Sequence, residues 1–387
     1  MKTVKFAQVL KFSENLVKVD KPEEERYVTV LLYGRGVIER EIKEGKVPVA
    51  FTGYKAHAGQ LIISTINARN GAAGIIPTEL EGSVVSKDFP LFDIDRECVD
   101  EQYLLYYLWS DSFIHEAEQN SFGATMPRLH VKPFLNMQMR LPTLSEQKRR
   151  AHTLCHVESL LNTQRHLLTK LDELVKSRFV EMFGEPVSNT FGWKQLLLCN
   201  VTSKIGSGAT PKGGKESYQA EGITLIRSMN VHDGRFEYKD LAHITDEQAT
   251  QLNNVIVQEN DVFINITGAS VARSCIVPSS VLPARVNQHV AIIRCVPERL
   301  NAIFANNMFL NDRFKGQLLD IGESGGATRQ AITKQQLENL TIIVPPLELQ
   351  NRFAAFVTEV DKSKLAVKQS LEKLETLKKS LMQQYFG

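Results

Sequence analysis

Three stretches of this sequence carry residue types and spacings that could do chemistry. The first is Gly206-Ser-Gly-Ala-Thr-Pro-Lys-Gly-Gly-Lys215, a glycine-rich loop of the sort that cradles phosphates. A nucleotide-hydrolysing loop needs G-x-x-x-x-G-K-[ST], in which backbone donors and a lysine meet the phosphates and a hydroxyl meets Mg2+. Aligned on Gly214-Lys215, the chain has Ala209 in place of the first glycine and Glu216 in place of the hydroxyl, which argues against hydrolysis. The loop still exposes backbone donors beside Lys204, Lys212 and Lys215, and that suits the phosphates of a DNA strand. The second stretch holds His152 and His156, four residues apart beside Cys155. The spacing can bind zinc, but no glutamate follows His152, so the H-E-x-x-H pattern fails and a solvated helix face is the better reading. The third is Glu41-Ile-Lys43 with Glu44-Gly-Lys46, spelled like the tail of a nuclease carboxylate–lysine site but with no acidic partner in convincing context before it. No N-P-P-[YF] motif of an adenine methyltransferase occurs. The residues point to binding rather than catalysis, and to no metal or cofactor held by this chain.

The elements that must position these loops follow from a repeat. Leu141-Pro-Thr-Leu-Ser-Glu-Gln147 opens a segment closing at Gly184, and Val344-Pro-Pro-Leu-Glu-Leu-Gln350 opens a second closing at Gly387. Pro142 and Pro345, Gln147 and Gln350, Val157 and Val360, Leu168 and Leu371, Leu171 and Leu374 all stand 203 apart, without a gap. A repeat this long makes the chain two versions of one unit. In each copy, apolar residues recur at steps of three and four. The first reads Leu154, Val157, Leu161, Gln164, Leu168, Leu171, Val175, Arg178, Met182; the second reads Val357, Val360, Lys364, Val367, Leu371, Leu374, Lys378, Leu381, Tyr385. That is a coiled-coil seam over about four heptads, on helices roughly 55–60 Å long. The seams differ, Gln164 answering Val367 and Leu161 answering Lys364, so the copies are expected to pair with each other, antiparallel.

The rest divides accordingly: a globular segment over 1–143, a long helix over 144–185, a second globular segment over 186–345 and a second long helix over 346–387. In the first segment, strands are predicted at Tyr27–Tyr33, Val47–Phe51, Gln60–Ser64 and Ser83–Ser86, and one helix at Glu101–Glu118. The second repeats this plan. Glu259–Ile266 and Pro278 answer Ala58–Thr65 and Pro77 at an offset of 201, and Gly326-Ala-Thr328 answers Gly123-Ala-Thr125 at 203. Thr333-Lys-Gln-Gln336 spells a capping box. The length of 387 residues, with 43% hydrophobic and 23% charged, fits a globular α/β protein of two or three domains. No apolar run reaches the eighteen residues of a membrane span. The N-terminus lacks a signal-peptide core, and the five cysteines form no C-x-x-C, so reduced thiols in the cytoplasm are expected. A net charge of +2 by itself lends nucleic-acid binding no support.

Gly208-Ala-Thr210-Pro211, Tyr218, Gly222-Ile-Thr-Leu-Ile-Arg227 and Asn230-Val231 resemble the opening of a target-recognition domain of the DNA-specificity subunit of type I restriction-modification enzymes. Leu337–Gln350 resembles that domain's exit into its long helix, and the twofold layout extends the resemblance over nearly the whole chain. The first half departs from it: no Gly-x-Thr-Pro loop is present, and Leu32 stands near where the second half has Arg227. The resemblance implies a non-catalytic subunit whose two recognition domains each meet one half of a split target in double-stranded DNA. It implies helices that set the spacing and dock two methyltransferase subunits, and a translocating restriction subunit joined to that core. S-adenosylmethionine, ATP and Mg2+ would then belong to those partners.

Base edges are read by Arg and Lys at guanine, Asn and Gln at adenine, and apolar groups at thymine methyls. Loops of the second segment offer Arg227, Asn230, Arg273, Asn287, Gln288 and Arg329; those of the first offer Arg35, Lys55, Arg69, Asn70, Lys87 and Arg128. Each alone reads as a solvated surface residue, and only the set carries weight. The competing readings are a helical adaptor with protein-binding ends, which the near-neutral charge favours slightly, and a stand-alone nuclease. If the helices pair with each other within one chain, truncation after Gly184 leaves an unpaired seam. Sedimentation of that half should then show a dimer, and a well-folded monomer would count against intrachain pairing.

Overall fold

A computed structural model describes residues 2–42, 48–211, 213–323 and 330–387. Lys43, Glu44, Lys46, Val47, Lys212, the Gly326-Ala-Thr328 run and Arg329 lie outside the described residues, as does the side chain of Lys215. Two globular α/β parts alternate with two long helices. The chain forms two units, one made of Met1–Arg165 with Lys368–Gly387, the other of His166–Val367.

In the first unit the strands are β1 (Lys2–Lys5), β2 (Leu10–Phe12), β3 (Leu16–Val19), β4 (Val28–Val30), β5 (Val37–Glu39), β6 (Phe51–Lys55), β7 (Leu61–Ile63), β8 (Ala73–Ile75), β9 (Val84–Ser86), β10 (Leu91–Ile94) and β11 (Gln138–Leu141). Helices α1 (Glu101–Leu108), α2 (Asp111–Gln119) and α3 (Val131–Asn136) follow β10, and α4 (Leu144–Phe183) follows β11. The second unit has β12 (Gln195–Leu197), β13 (Thr202–Ser207), β14 (Ile223–Ile226), β15 (Val231–His232), β16 (Arg235–Phe236), β17 (Ala242–Ile244), β18 (Val262–Asn265), β19 (Ser274–Ile276), β20 (Ala284–Val286), β21 (Val290–Cys295) and β22 (Thr341–Ile343). Its helices are α5 (Asp246–Thr250), α6 (Ala302–Leu310), α7 (Asp312–Glu323) and α8 (Lys334–Glu338), and α9 (Leu347–Phe386) ends the chain.

The repeat is one of topology. The order β2-β10-β7-β8 in the first unit returns as β13-β21-β18-β19 in the second. Phe92 lies opposite Leu61 in the first, and Ile293 opposite Val262 in the second, each position shifted by 201. Strand alternation splits the side chains between two cores. Leu61 and Ile63 face the core with α1 and α2, while Ile62 faces a smaller one behind the sheet. Val262 and Ile264 likewise face α6 and α7, and Phe263 points to the other side. Both strands are buried throughout, which is why they read as short continuous apolar runs.

Some expectations change. The helix expected over 101–118 is two. Ser110 caps α2 by accepting from Phe113 N at 3.3 Å while its Oγ donates to Tyr107 O at 2.6 Å, and Trp109 Nε1 is drawn aside to Ala73 O at 3.1 Å. The strand expected over 47–51 begins only at Phe51. The capping box stands as spelled: Gln336 N donates to Thr333 Oγ1 at 3.2 Å, and Thr333 N to Gln336 Oε1 at 2.8 Å.

The long helices pair antiparallel. In the first unit Glu158 meets Lys378 at 2.6 Å and Arg165 meets Glu375 at 3.1 Å; in the second, Asp172 meets Lys364 at 2.7 Å. Partner numbers fall on α9 as they rise on α4. On the seam, Val157, Leu161, Val175 and Val360 are buried, and Leu168, Leu171, Val367, Leu371, Leu374 and Leu381 are half-buried. Burial works against the charge on Lys364, but Asp172 and Asp361 outweigh it and hold the ammonium above its usual range.

Each helix start is fixed by a fully buried glutamine. Gln147 Nε2 donates to Cys98 O at 3.1 Å and Pro142 O at 3.0 Å, and its Oε1 accepts from Asp100 N at 2.9 Å. Gln350 Nε2 donates to Arg299 O at 3.3 Å and Pro345 O at 2.8 Å, and its Oε1 accepts from Asn301 N at 2.9 Å. Each helix end supplies an aromatic. Phe386 lies 5.1 Å from Tyr103 in the first unit, and Phe183 lies 4.8 Å from Phe304 in the second.

One further correspondence changes chemistry while keeping geometry. Before β7, Gln60 accepts from His57 N at 2.9 Å and donates to Asp93 at 2.8 Å. Before β18, Asp261 accepts from Gln258 N at 2.7 Å and takes both prongs of the Arg294 guanidinium at 2.8 Å.

Replacing Gln147 or Gln350 by alanine orphans two carbonyls and one N–H that are otherwise satisfied. Each substitution should destabilise its unit by about 1–3 kcal/mol per buried group left unpaired. Glutamate should be worse than alanine, since a carboxylate cannot donate to the two carbonyls. Thermal unfolding checks both, and a glutamate variant as stable as the parent would refute the assignment.

Candidate nucleic-acid interface

In the second unit, β13 and β18 both run antiparallel to β21, so their C-terminal ends lie where β21 begins. β14 runs parallel to β20, and β20 leads into β21. The loops after β13, β14 and β18 and the loop between β20 and β21 therefore leave one end of the unit.

These loops are stitched together by backbone and side-chain bonds. Gly208 N donates to Asn287 O at 3.1 Å. A Cβ at Gly208 would stand 1.8 Å from Val286 O, so only glycine allows this approach. Thr210 Oγ1 donates to Gln288 Oε1. Gln288 Nε2 lies 3.0 Å from His289 Nε2, and His289 Nδ1 lies 2.5 Å from Thr267 Oγ1. An amide nitrogen only donates, so His289 Nε2 accepts, and the neutral imidazole carries its proton on Nδ1, which donates to Thr267. Thr210 and Gln288 are exposed at the end of this chain of bonds.

Arg227 is half-buried, with its guanidinium 5.4 Å over the Tyr218 ring and one nitrogen donating to Asp240 O. Its Nε is buried without a partner. Asn230 is fully buried; it accepts from Arg227 N at 3.1 Å and donates to Glu237 O at 3.0 Å and Lys239 O at 3.3 Å. Its side chain closes the turn and presents no edge to a ligand. Asn287 is also buried, accepting from His289 N at 3.0 Å. Arg273 is half-buried in the loop after β18, and Asn265 beneath it pins the Arg227 turn by donating to Ser228 O at 2.9 Å. Lys204 sits apart. Its ammonium donates to Asn254 O, and its register partner is Arg294, toward the far end of β21.

The first unit gathers its residues at the equivalent end. Thr65 N donates to Asp88 O at 2.9 Å, as Ile266 N donates to His289 O at 3.0 Å. Arg128 holds Asp88 at 3.1 Å, Lys87 is exposed beside it, and Asn70 donates to Asn67 Oδ1 at 3.2 Å after Arg69, which is half-buried. Tyr33 N donates to Asn70 O at 2.8 Å, which ties the turn of the exposed Arg35 to the loop after β7. Lys55 is not among them: it closes β6 opposite Val84, at the start of β9, whereas Lys87 follows the end of β9. Thr267 and His289 were missed in the sequence. The adjacency of His289 to Gln288 was a usable signal; the reach of Thr267 was not.

Burial pushes the Cys275 and Cys295 thiols up to about 12, far from a reactive thiolate. Among the described residues no group of three or more His, Cys, Asp or Glu could hold a metal ion. No described helix is long and apolar enough to cross a membrane.

Comparison with known proteins agrees with this layout. The family model of the type I restriction modification DNA specificity domain matches residues 1–173 and 198–377. The type I restriction enzyme MjaVIII specificity subunit of Methanocaldococcus jannaschii is 20% identical over 312 residues, or 77% of this chain and 72% of that protein. A chain solved to explain complex assembly and conformational transition of the type I R-M system is similar at a TM-score of 0.60 and 20% identity, covering 100% of this chain and 97% of that one. The S subunit of the type I restriction-modification system from M. genitalium gives 0.57 at 12% identity, with 100% and 96% covered. These structures share the fold of two repeated domains alternating with two long helices. With one copy of the matching domain in each half, the chain belongs to the type I restriction-modification DNA specificity family.

Proposed function

We propose that this chain is the non-catalytic DNA-specificity subunit of a type I restriction-modification enzyme. One observation carries this reading: equivalent ends of two repeated domains gather different sets of polar, exposed or half-buried side chains on strands of the same pairing order. Two readers with one frame and unlike side chains suit a split, non-palindromic target in double-stranded DNA. The first domain presents Arg35, Arg69, Asn70, Lys87 and Arg128. The second presents Thr210, Arg227, Arg273 and Gln288, with Tyr218 holding the Arg227 guanidinium.

Phosphate contacts position such a protein and base contacts specify its site. Arg227, tethered to Tyr218 and Asp240, suits the first role; exposed amides and amines suit the second. The paired helices set the spacer between half-sites and dock two methyltransferase subunits, and a restriction subunit joins them. S-adenosylmethionine belongs to the methyltransferase, and ATP with Mg2+ to the restriction subunit. The complex works in the cytoplasm, where the DNA is.

Replacing residues 186–343 by the matching segment of a relative should change one half of the methylated site and leave the other intact. Sequencing of methylated DNA from the assembled complex reads this directly, and a change in both halves would defeat the idea of independent readers. Duplex binding by the same complex should weaken steeply with salt, as phosphate contacts require; a flat response would favour a protein-binding adaptor. Four residues inserted after Lys170 add about one helical turn, roughly 6 Å. The spacer should lengthen by about one or two base pairs, since a duplex rises about 3.4 Å per pair. An unchanged spacer with full activity would remove the ruler role.

A further inference from the structure

We propose that residues 288 and 87 are the matched base-reading positions of the two domains, Gln288 reading an adenine in one half-site and Lys87 a guanine in the other. The inference rests on the DNA-specificity reading and adds to it the residues and the bases.

The equivalence of the two positions is geometric. β10 pairs with β7 as β21 pairs with β18, at a constant shift of 201. Ahead of β10 and β21, at the same shift of 201, stands the same backbone bond, from Thr65 N to Asp88 O and from Ile266 N to His289 O. Lys87 and Gln288 each precede that bond by one residue, and both side chains are exposed. The backbone is therefore held in the same way in both halves while the projecting group differs.

Gln288 is an exposed amide whose orientation is nevertheless fixed. Its Oε1 accepts from Thr210 and its Nε2 donates to His289, which is anchored in turn on Thr267. An amide has two acceptor positions and two donor protons, so one of each is still available. One acceptor and one donor on a fixed amide are what the major-groove edge of adenine asks for, through N6 and N7. A free glutamine would lose rotamer freedom on binding, and the prior bonds reduce that loss. In the first domain the neighbour of Lys87 is Asp88, neutralised by Arg128 at 3.1 Å. The ammonium is left to seek the O6 and N7 acceptors of guanine.

The test uses the chain assembled with its methyltransferase subunit and maps methylated sites for the parent, Gln288→Lys and Lys87→Gln. Each variant should change or relax one base pair in one half-site, with about a 10- to 100-fold loss of discrimination there. The other half-site should stay as it was, and the two variants should act on opposite halves. Unchanged half-sites in both variants would overturn the inference while leaving the DNA-specificity reading in place. A uniform loss at every sequence would mark these residues as phosphate contacts and would also overturn it. A parent complex with no sequence-specific methylation would remove the reading itself.

Discussion

Each unit completes its core with an aromatic from the far end of a helix that starts in the other unit. Phe386 enters the aromatic cluster of α1 through Tyr103 and Tyr107, and Phe183 packs on Phe304 of α6 and Phe353 near the start of α9. Removing a buried phenylalanine from a core typically costs about 3–5 kcal/mol, a large part of a domain's stability. The seam between the helices could not replace this. Its middle contains Gln164 and Lys364, and its leucines there are only half-buried. The glutamine clamps at Gln147 and Gln350 hold the opposite ends, so each unit grips one helix by its start and the other by its tip.

Much of this was legible because it is periodic. A constant offset, apolar steps of three and four, and prolines at the helix starts are properties of the chain alone. The break at Ser110 was not legible, since Leu105, Leu108, Trp109 and Phe113 continue a helical spacing across it and the cap competes with that pattern only locally. Which candidate residues share one end of a unit was not legible residue by residue. Asn230 has the residue type of a base reader, yet the β15–β16 hairpin folds the carbonyls of Glu237 and Lys239 back onto it, and they claim its amide. Lys55 and Lys204 have the right charge on the wrong ends of their strands. Which end a loop leaves from depends on strand direction, and single strands of five or six residues do not announce it.

The division of labour within each domain follows from where the bonds fall. Backbone groups and buried amides fix the loops: Gly208 to Asn287, Asn265 to Ser228, Asn70 to Tyr33. An exposed side chain such as Lys87 contributes little to that frame. Such positions tolerate replacement, because surface substitutions away from buried polar groups usually change stability by less than about 0.5 kcal/mol. A reader built this way can alter what it reads without being refolded around each change.

The turn before β7 and its counterpart before β18 limit how the two halves can be shuffled. Gln60 faces Asp93 in one, and Asp261 faces Arg294 in the other, both pairs separated by 33 residues in sequence. A genetic crossover that joined the turn of the second half to the strand of the first would set the fully buried Asp261 carboxylate against Asp93. The reverse crossover would leave the Arg294 guanidinium facing a neutral amide. Viable exchanges between halves must therefore carry turn and strand together, so the smallest heritable unit is larger than the loops at the end of each domain.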